Sequence, residues 1–223
     1  GTNGKTTTKE LVKAVLATKY RLCATEGNLN NNIGVPMTLL RLTPETELAV
    51  VEMGASHPGD IRELVDIAHP DCGLITNVGR AHLLGFGSFE GVKNTKAELY
   101  DYIFSVGGTC FVNAESDDLK ELAAMRQGMK TVMYGKSLQH AAILPSDAMH
   151  PFLRLTVNED GMEIGINTSL VGSYNADNVL CALAVGKFFG IAPEAAARAI
   201  EGYQPSNNRS QMVHSASNHI IFD

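Results

Sequence analysis

The residues best suited to do chemistry stand at the start of the chain, where Gly1, Thr2, Asn3, Gly4, Lys5, Thr6 and Thr7 lead into an amphipathic stretch. Glycines let backbone N–H groups close around phosphate oxygens, and a following helix offers its N-terminus. The lysine reaches the β- and γ-phosphates, and a hydroxyl after it can ligate magnesium. The full G-x-x-x-x-G-K-[ST] spacing would put its first glycine before Gly1. A bare Gly-Lys-Thr also occurs in ordinary glycine-rich turns that cap a helix, so the loop alone leaves both readings open.

Four more places carry reactive groups. Glu52 ends the apolar run 48–53 and is followed by Met53 and Gly54; an acid at the carboxyl end of a strand can face a phosphate loop and bind magnesium, or it can simply be solvated. His82 follows the run 72–78 and precedes a Gly-Phe-Gly loop that could approach a substrate closely. Lys96 sits between Lys93 and Glu98, and its spacing alone fits a solvated lysine. Residues 27–36, GNLNNNIGVP, hold four asparagines within five positions. Amides that donate and accept can hold sugar hydroxyls or phosphates, and they build turns equally well.

These groups need a frame that brings them to one edge. Leu11, Val12, Val15 and Leu16 recur at helical spacing within 6–18, with Lys9, Glu10 and Lys13 opposite. Apolar runs at 48–53, 72–78 and 109–113 alternate with helical patterns at 61–68 and 92–104, which predicts a parallel sheet covered on both faces. After Lys130 strand-like pieces separated by short turns predict a small antiparallel sheet within about 130–171. Two helices follow within 175–189 and 193–202, the second with Pro193 in its first turn. The fold class is therefore α/β: a mostly parallel P-loop sheet flanked by helices, with an antiparallel subregion. The loop at Gly1 lacks the strand that should feed it, and HIIFD ends as a strand, so the segment reads as the middle of a longer polypeptide.

Composition narrows the classes. With 223 residues, 44% of them hydrophobic, a continuous core is expected. The net charge of −6 argues against a nucleic-acid partner. No membrane-spanning run or signal peptide is visible, which reads as a cytoplasmic protein. Cys23, Cys72, Cys110 and Cys181 form no C-x-x-C pair and read as reduced packing residues.

In order, GTNGKTT, EMGA at 52–55, the N-x-G-x-A-H stretch at 77–82, TKAEL at 95–99, YNADN at 174–178, Arg209 and Asp223 resemble the Mur ligases, ATP-dependent amide-forming enzymes of peptidoglycan precursor synthesis. Within that family GNLNNNIGVP, EMGASHPGDI and AHLLGFGS are most similar to the branch that adds D-alanyl-D-alanine to UDP-N-acetylmuramoyl-tripeptide through an acyl phosphate. A folylpolyglutamate synthase-like ligase and a non-catalytic nucleotide-binding module are the alternatives.

The resemblance implies a three-domain enzyme, of which residues 1–210 form the central ATP-binding domain and 211–223 begin the next domain or a linker. The N- and C-terminal domains of the same polypeptide would supply the substrates, and the isolated segment would be inactive. It further implies that Gly1 to Thr7 cradle phosphate and that Thr6 and Glu52 hold one Mg2+. His82 would hold a second, with Lys96 carbamylated into a metal-binding anion. Asn175 and Asn178 would face adenine, Arg209 would contact phosphate or another part of the nucleotide, Asp223 the ribose, and Asn31 and Asn32 the substrate. Leu84 departs from the family's usual H-L-E-G-F-G, and Arg80 is also unusual, which leaves the roles of both open.

Overall fold

The computed structural model describes residues 1–79, 83–147, 149–159, 161–205, 211–214 and 219–222, with backbone alone at 83–84, 211–214 and 219–222. The chain opens with α1 (Lys5–Leu16), β1 (Leu22–Ala24), α2 (Gly34–Leu39), β2 (Leu48–Val50), α3 (Asp60–Ala68) and β3 (Cys72–Leu74). It continues through α4 (Leu83–Phe86), α5 (Phe89–Ser105), β4 (Thr109–Asn113), α6 (Asp117–Ala124) and β5 (Lys130–Tyr134). The last part comprises β6 (Ala142–Leu144), β7 (Phe152–Glu159), β8 (Met162–Val171), α7 (Ala176–Phe188), α8 (Pro193–Glu201), β9 (Gln211–His214) and β10 (His219–Phe222).

β1 pairs parallel with β2, and β3, β4 and β5 form a second parallel sheet. Residues 130–134, expected among the antiparallel strands, instead pair parallel with β4 from Thr109↔Lys130 to Asn113↔Tyr134. A short run such as KTVMY carries no mark of its partner's direction; the preceding α6, which caps itself through Ser116 and returns the chain, decides it. The antiparallel sheet comprises β6, β7 and β8, and β9 pairs with β10.

The core gathers around α7. Its residues 178–186 are buried on every side, as in a helix enclosed by the fold; they pack against α1 and α8 and share one core cluster with Leu11, Val12, Val15 and Leu16 of α1 and Leu153, Leu155, Val157, Ile166 and Leu170 of β7 and β8. Lys9, expected on the polar side of α1, is buried; its Nζ reaches the carbonyls of Thr25 at 2.7 Å and Gly27 at 3.2 Å and the carboxylate of Glu10 at 2.6 Å. A buried ammonium is tolerable because those acceptors replace its water. All four cysteines are free thiols, three of them buried.

Among the described residues β2 and β3 each have one strand neighbour, and β2 is only half-covered, whereas β4, paired on both sides, is almost wholly buried. Between β2 and β3 lies a cavity of about 450 Å³, bordered by Val12, Leu16, Leu48, Val50, Leu74 and Phe111 and open at its upper end to Gly1.

Candidate active site

The phosphate loop is shaped by sequence and by its neighbours. Gly4 takes φ +74°, a left-handed conformation that glycine adopts without strain, and α1 starts at the next residue. The loop is pinned from β3's carboxyl end. Asn77 Oδ1 accepts from the amides of Thr2 (3.1 Å) and Asn3 (3.0 Å), and its Nδ2 donates to the Asn3 carbonyl (3.0 Å). Thr76 Oγ1 donates to that same carbonyl at 2.6 Å. The Thr2 hydroxyl accepts from Gly79 N at 2.8 Å. Lys5 Nζ folds back onto the carbonyls of Gly1 (2.9 Å) and Thr2 (3.1 Å), and Thr6 is buried in the first turn of α1.

Underneath, a chain of amides supports the loop. Thr8 Oγ1 donates to Asn178 Oδ1 (2.9 Å), Asn178 Nδ2 to Asn175 Oδ1 (2.8 Å), and Asn175 Nδ2 to the Val171 carbonyl (2.8 Å). A side chain at position 4 would strike Asn178, since a Cβ there would lie 2.7 Å from its Oδ1. Asn175 and Asn178, expected to face adenine, are buried, and these amide groups link β8's end to α1.

Glu52 stands two residues beyond β2 and is 5% exposed. Its amide donates to Thr25 Oγ1 (3.0 Å), and its Oε1 accepts from Asn30 Nδ2 (2.7 Å). Oε2 is buried with no hydrogen-bond partner among the described residues. An unpaired buried carboxylate oxygen is costly in isolation, and a bound cation would satisfy it. Lys96, in α5, is 8% exposed rather than solvated, and no anion pairs with it among the described residues. Burial, and then the nearby Lys5 charge, lower its pKa to about 8. Its neighbour Lys93 takes the ordinary structural role, bridging Asp118 and Glu121.

Lys5, Lys96, Asn31 and Asn32 line one cavity of about 390 Å³ together with Gly1 and Thr2. Asn31 Oδ1 caps α2 by accepting from Ile33 N (3.2 Å) and Gly34 N (2.8 Å), and Asn32 is exposed. The opposite wall contains His57 and Asp60, whose Oδ2 accepts from the amides of Ser56 and His57 at 2.8 Å each. His82, Arg80, Arg209 and Asp223 lie outside the described residues, as does the side chain of Leu84. Among the described residues no group of three or more His, Cys, Asp or Glu forms a metal cluster.

The sequence left three contributors without a role. Asn77 lies inside a recognised stretch but no function was attached to it, Asn30 is one of four neighbouring asparagines, and Lys9 occurs at a polar helical position. In each case the partner comes from a distant segment, so local spacing holds no signal for it.

Gly1, Thr2 and Lys5 of the phosphate loop share one cavity with the buried Lys96, and Glu52, with one oxygen open among the described residues, lines the adjoining cavity that Gly1, Lys5 and Lys96 also border, an arrangement suited to a nucleotide's phosphates on an α/β frame. Residues 1–186 match the Mur ligase middle domain, and the protein belongs to the Mur ligase family. It is 35% identical over 213 residues to the UDP-N-acetylmuramoyl-tripeptide–D-alanyl-D-alanine ligase of Bacillus subtilis, covering 96% of this chain and 45% of that protein. Its identity to the Escherichia coli ligase of the same name is 31%, over 100% of this chain and 50% of that one. Among solved structures, MurF from Acinetobacter baumannii superposes with TM-score 0.88 at 28% identity, covering 100% of this chain and 49% of the other. MurF from Thermotoga maritima in complex with ADP gives 0.86 at 25%, covering 100% and 51%. The chain spans about half the length of the curated relatives it matches.

Proposed function

We propose that this chain is the ATP-using domain of a ligase that joins D-alanyl-D-alanine to UDP-N-acetylmuramoyl-tripeptide. The observation that carries the reading is the single cavity onto which the phosphate loop, Lys96 and the asparagine loop all open, in a chain whose named relatives catalyse that reaction. A carboxylate is a poor acyl donor because its oxygen leaves badly. Transfer of the γ-phosphoryl group makes an acyl phosphate, and the dipeptide amine then expels phosphate to form the amide.

The chain's own part is positioning and electrostatics. Loop amides from Gly1 to Thr7 and the Lys5 ammonium bind the phosphates. Lys5 exchanges its contacts with the carbonyls of Gly1 and Thr2 for phosphate oxygens. Asn175 and Asn178, next to the loop, would face adenine, and Asn31 and Asn32 would lie on the substrate side. Thr6 and Glu52 Oε2 suit a magnesium ion, which when bound screens the two anions that must meet. His82 would serve a second ion, and Arg209 and Asp223 the phosphates and the ribose.

Lys96 deepens the reading. A neutral amine forms a carbamate with carbon dioxide, and a lysine held near 8 is partly neutral in the physiological range. The carbamate would replace a repelling cation with two oxygen donors of the kind hard cations prefer. Lys96→Ala in the full-length polypeptide should abolish turnover, and a small carboxylic acid should restore part of it. Normal turnover without rescue would return Lys96 to a packing role.

The cavity between β2 and β3 fits a further parallel strand leading into Gly1. The N- and C-terminal domains of the ligase would flank the segment, with the boundary near residue 210. Formation of ADP and amide by the full-length polypeptide, each dependent on both substrates, tests the whole reading. ATP hydrolysis indifferent to them would reject it.

A further inference from the structure

Glu52 has two carboxylate oxygens, and the structure treats them differently: Oε1 is held by Asn30 Nδ2 at 2.7 Å, and Oε2 is buried without a partner among the described residues. We infer that Asn30 is the positioning residue of Glu52, fixing which oxygen is presented to a cation, and that it ties this setting to the loop facing the substrate side of the cavity. The inference rests on the ligase reading above.

Asn30 suits the task because its donor is neutral. It orients the carboxylate without cancelling the charge a cation needs, as a lysine or arginine there would. The amide is itself built in. The Asn30 carbonyl accepts from Gly54 N at 2.7 Å, so the backbone after Glu52 and the asparagine loop are stitched together. Gly54 gives the amide its room, since a Cβ at that position would lie 2.7 Å from Asn30 Oδ1 and 2.9 Å from its Cγ. The next residues, Asn31 and Asn32, line the cavity, and Asn31 anchors the loop to α2. The same loop thus carries both the amide that sets Glu52 and residues that line the cavity.

The test uses the full-length polypeptide with ADP and Mn2+, whose free spin-resonance signal falls as the ion binds. Groups that orient a metal ligand are typically worth 10- to 100-fold in metal affinity or activity. Asn30→Ala should accordingly weaken Mn2+ binding about tenfold and lower kcat by a similar factor. KM for the UDP-linked substrate should stay within about twofold, because the ion rather than that substrate loses its partner. In a Glu52→Gln background the same change should add little, as expected when one residue acts through the other.

Unchanged Mn2+ affinity, fully multiplicative losses, or an effect confined to KM would overturn the assignment. If Asn30→Ala does not fold, Asn30→Leu keeps the volume without the donor and is judged by the same results. Mn2+ binding needs no ligase substrate, so a wild-type protein that binds Mn2+ and ADP yet forms no amide would refute the ligase reading while leaving the Asn30 test intact.

Discussion

Lys96 holds an ammonium in a buried position within reach of a second ammonium, Lys5, and both effects favour its neutral form. Between about 8 and the ordinary value of 10.5 the unfolded chain binds the proton and the folded chain does not, so the stability contributed by this residue rises as pH increases through that window. Lys96→Met should therefore raise the Tm at pH 7 by a few degrees, with the gain shrinking toward pH 10, while turnover is lost. Thermal melts of both proteins at the two pH values decide it; equal shifts at both would remove the charge from the account. Glu52→Gln belongs to the same scale. Losing one preorganised charge typically lowers kcat by about 100- to 1,000-fold, and steady-state kinetics should show that loss with the affinity for the UDP-linked substrate little changed. An intact kcat with weakened substrate binding would take Glu52 away from the cation.

At the scale of elements, the phosphate loop depends on a neighbour that is not part of it. Asn77→Ala removes the side-chain acceptor of the Asn3 amide and the donor to the Asn3 carbonyl, while Thr2 N keeps the Asn77 backbone carbonyl, a net loss of roughly 2 kcal/mol at about 1 kcal/mol per hydrogen bond. Calorimetry with ADP should find affinity reduced about 10- to 30-fold, the equivalent of that energy. No change would mean the loop holds its shape unaided. The open seam between β2 and β3 makes a second prediction. Extending the polypeptide by its natural residues before Gly1 should add a strand paired on both edges and raise the Tm by at least about 5 °C, since 1 kcal/mol is worth about 2–4 °C at this size; an unchanged melt would leave the seam without that strand.

Much of this frame is legible in the sequence. Periodicity marks α1, α3, α5 and α8, an unbroken apolar stretch marks α7, and apolar runs mark β4 and the first residues of β2 and β3. The short β1 and α2 and the polar α6 give no such signal, because their place is fixed by contacts with β2, α3 and β4 rather than by a pattern of their own. Site chemistry is legible where a residue type is unusual in its context, as with Glu52 at the end of an apolar strand. It is not legible where one amide must be chosen among four, since the approach of Gly54 makes that choice.

At the scale of the whole molecule, the cavity lies at the carboxyl end of the parallel strands, where open α/β sheets place their ligands. The chain accounts for about half the length of the curated relatives it matches. Among the described residues no helix is long and apolar enough to cross a membrane. The central claim is that phosphate passes through the carboxylate of the tripeptide before the amide forms. The full-length polypeptide should be given ATP, D-alanyl-D-alanine and UDP-N-acetylmuramoyl-tripeptide carrying oxygen-18 in its terminal carboxylate, and the released phosphate examined by mass spectrometry. If an acyl phosphate forms, one labelled oxygen leaves with each phosphate as the amide is made. Amide formation with unlabelled phosphate, or label-free phosphate released without amide, would contradict the account.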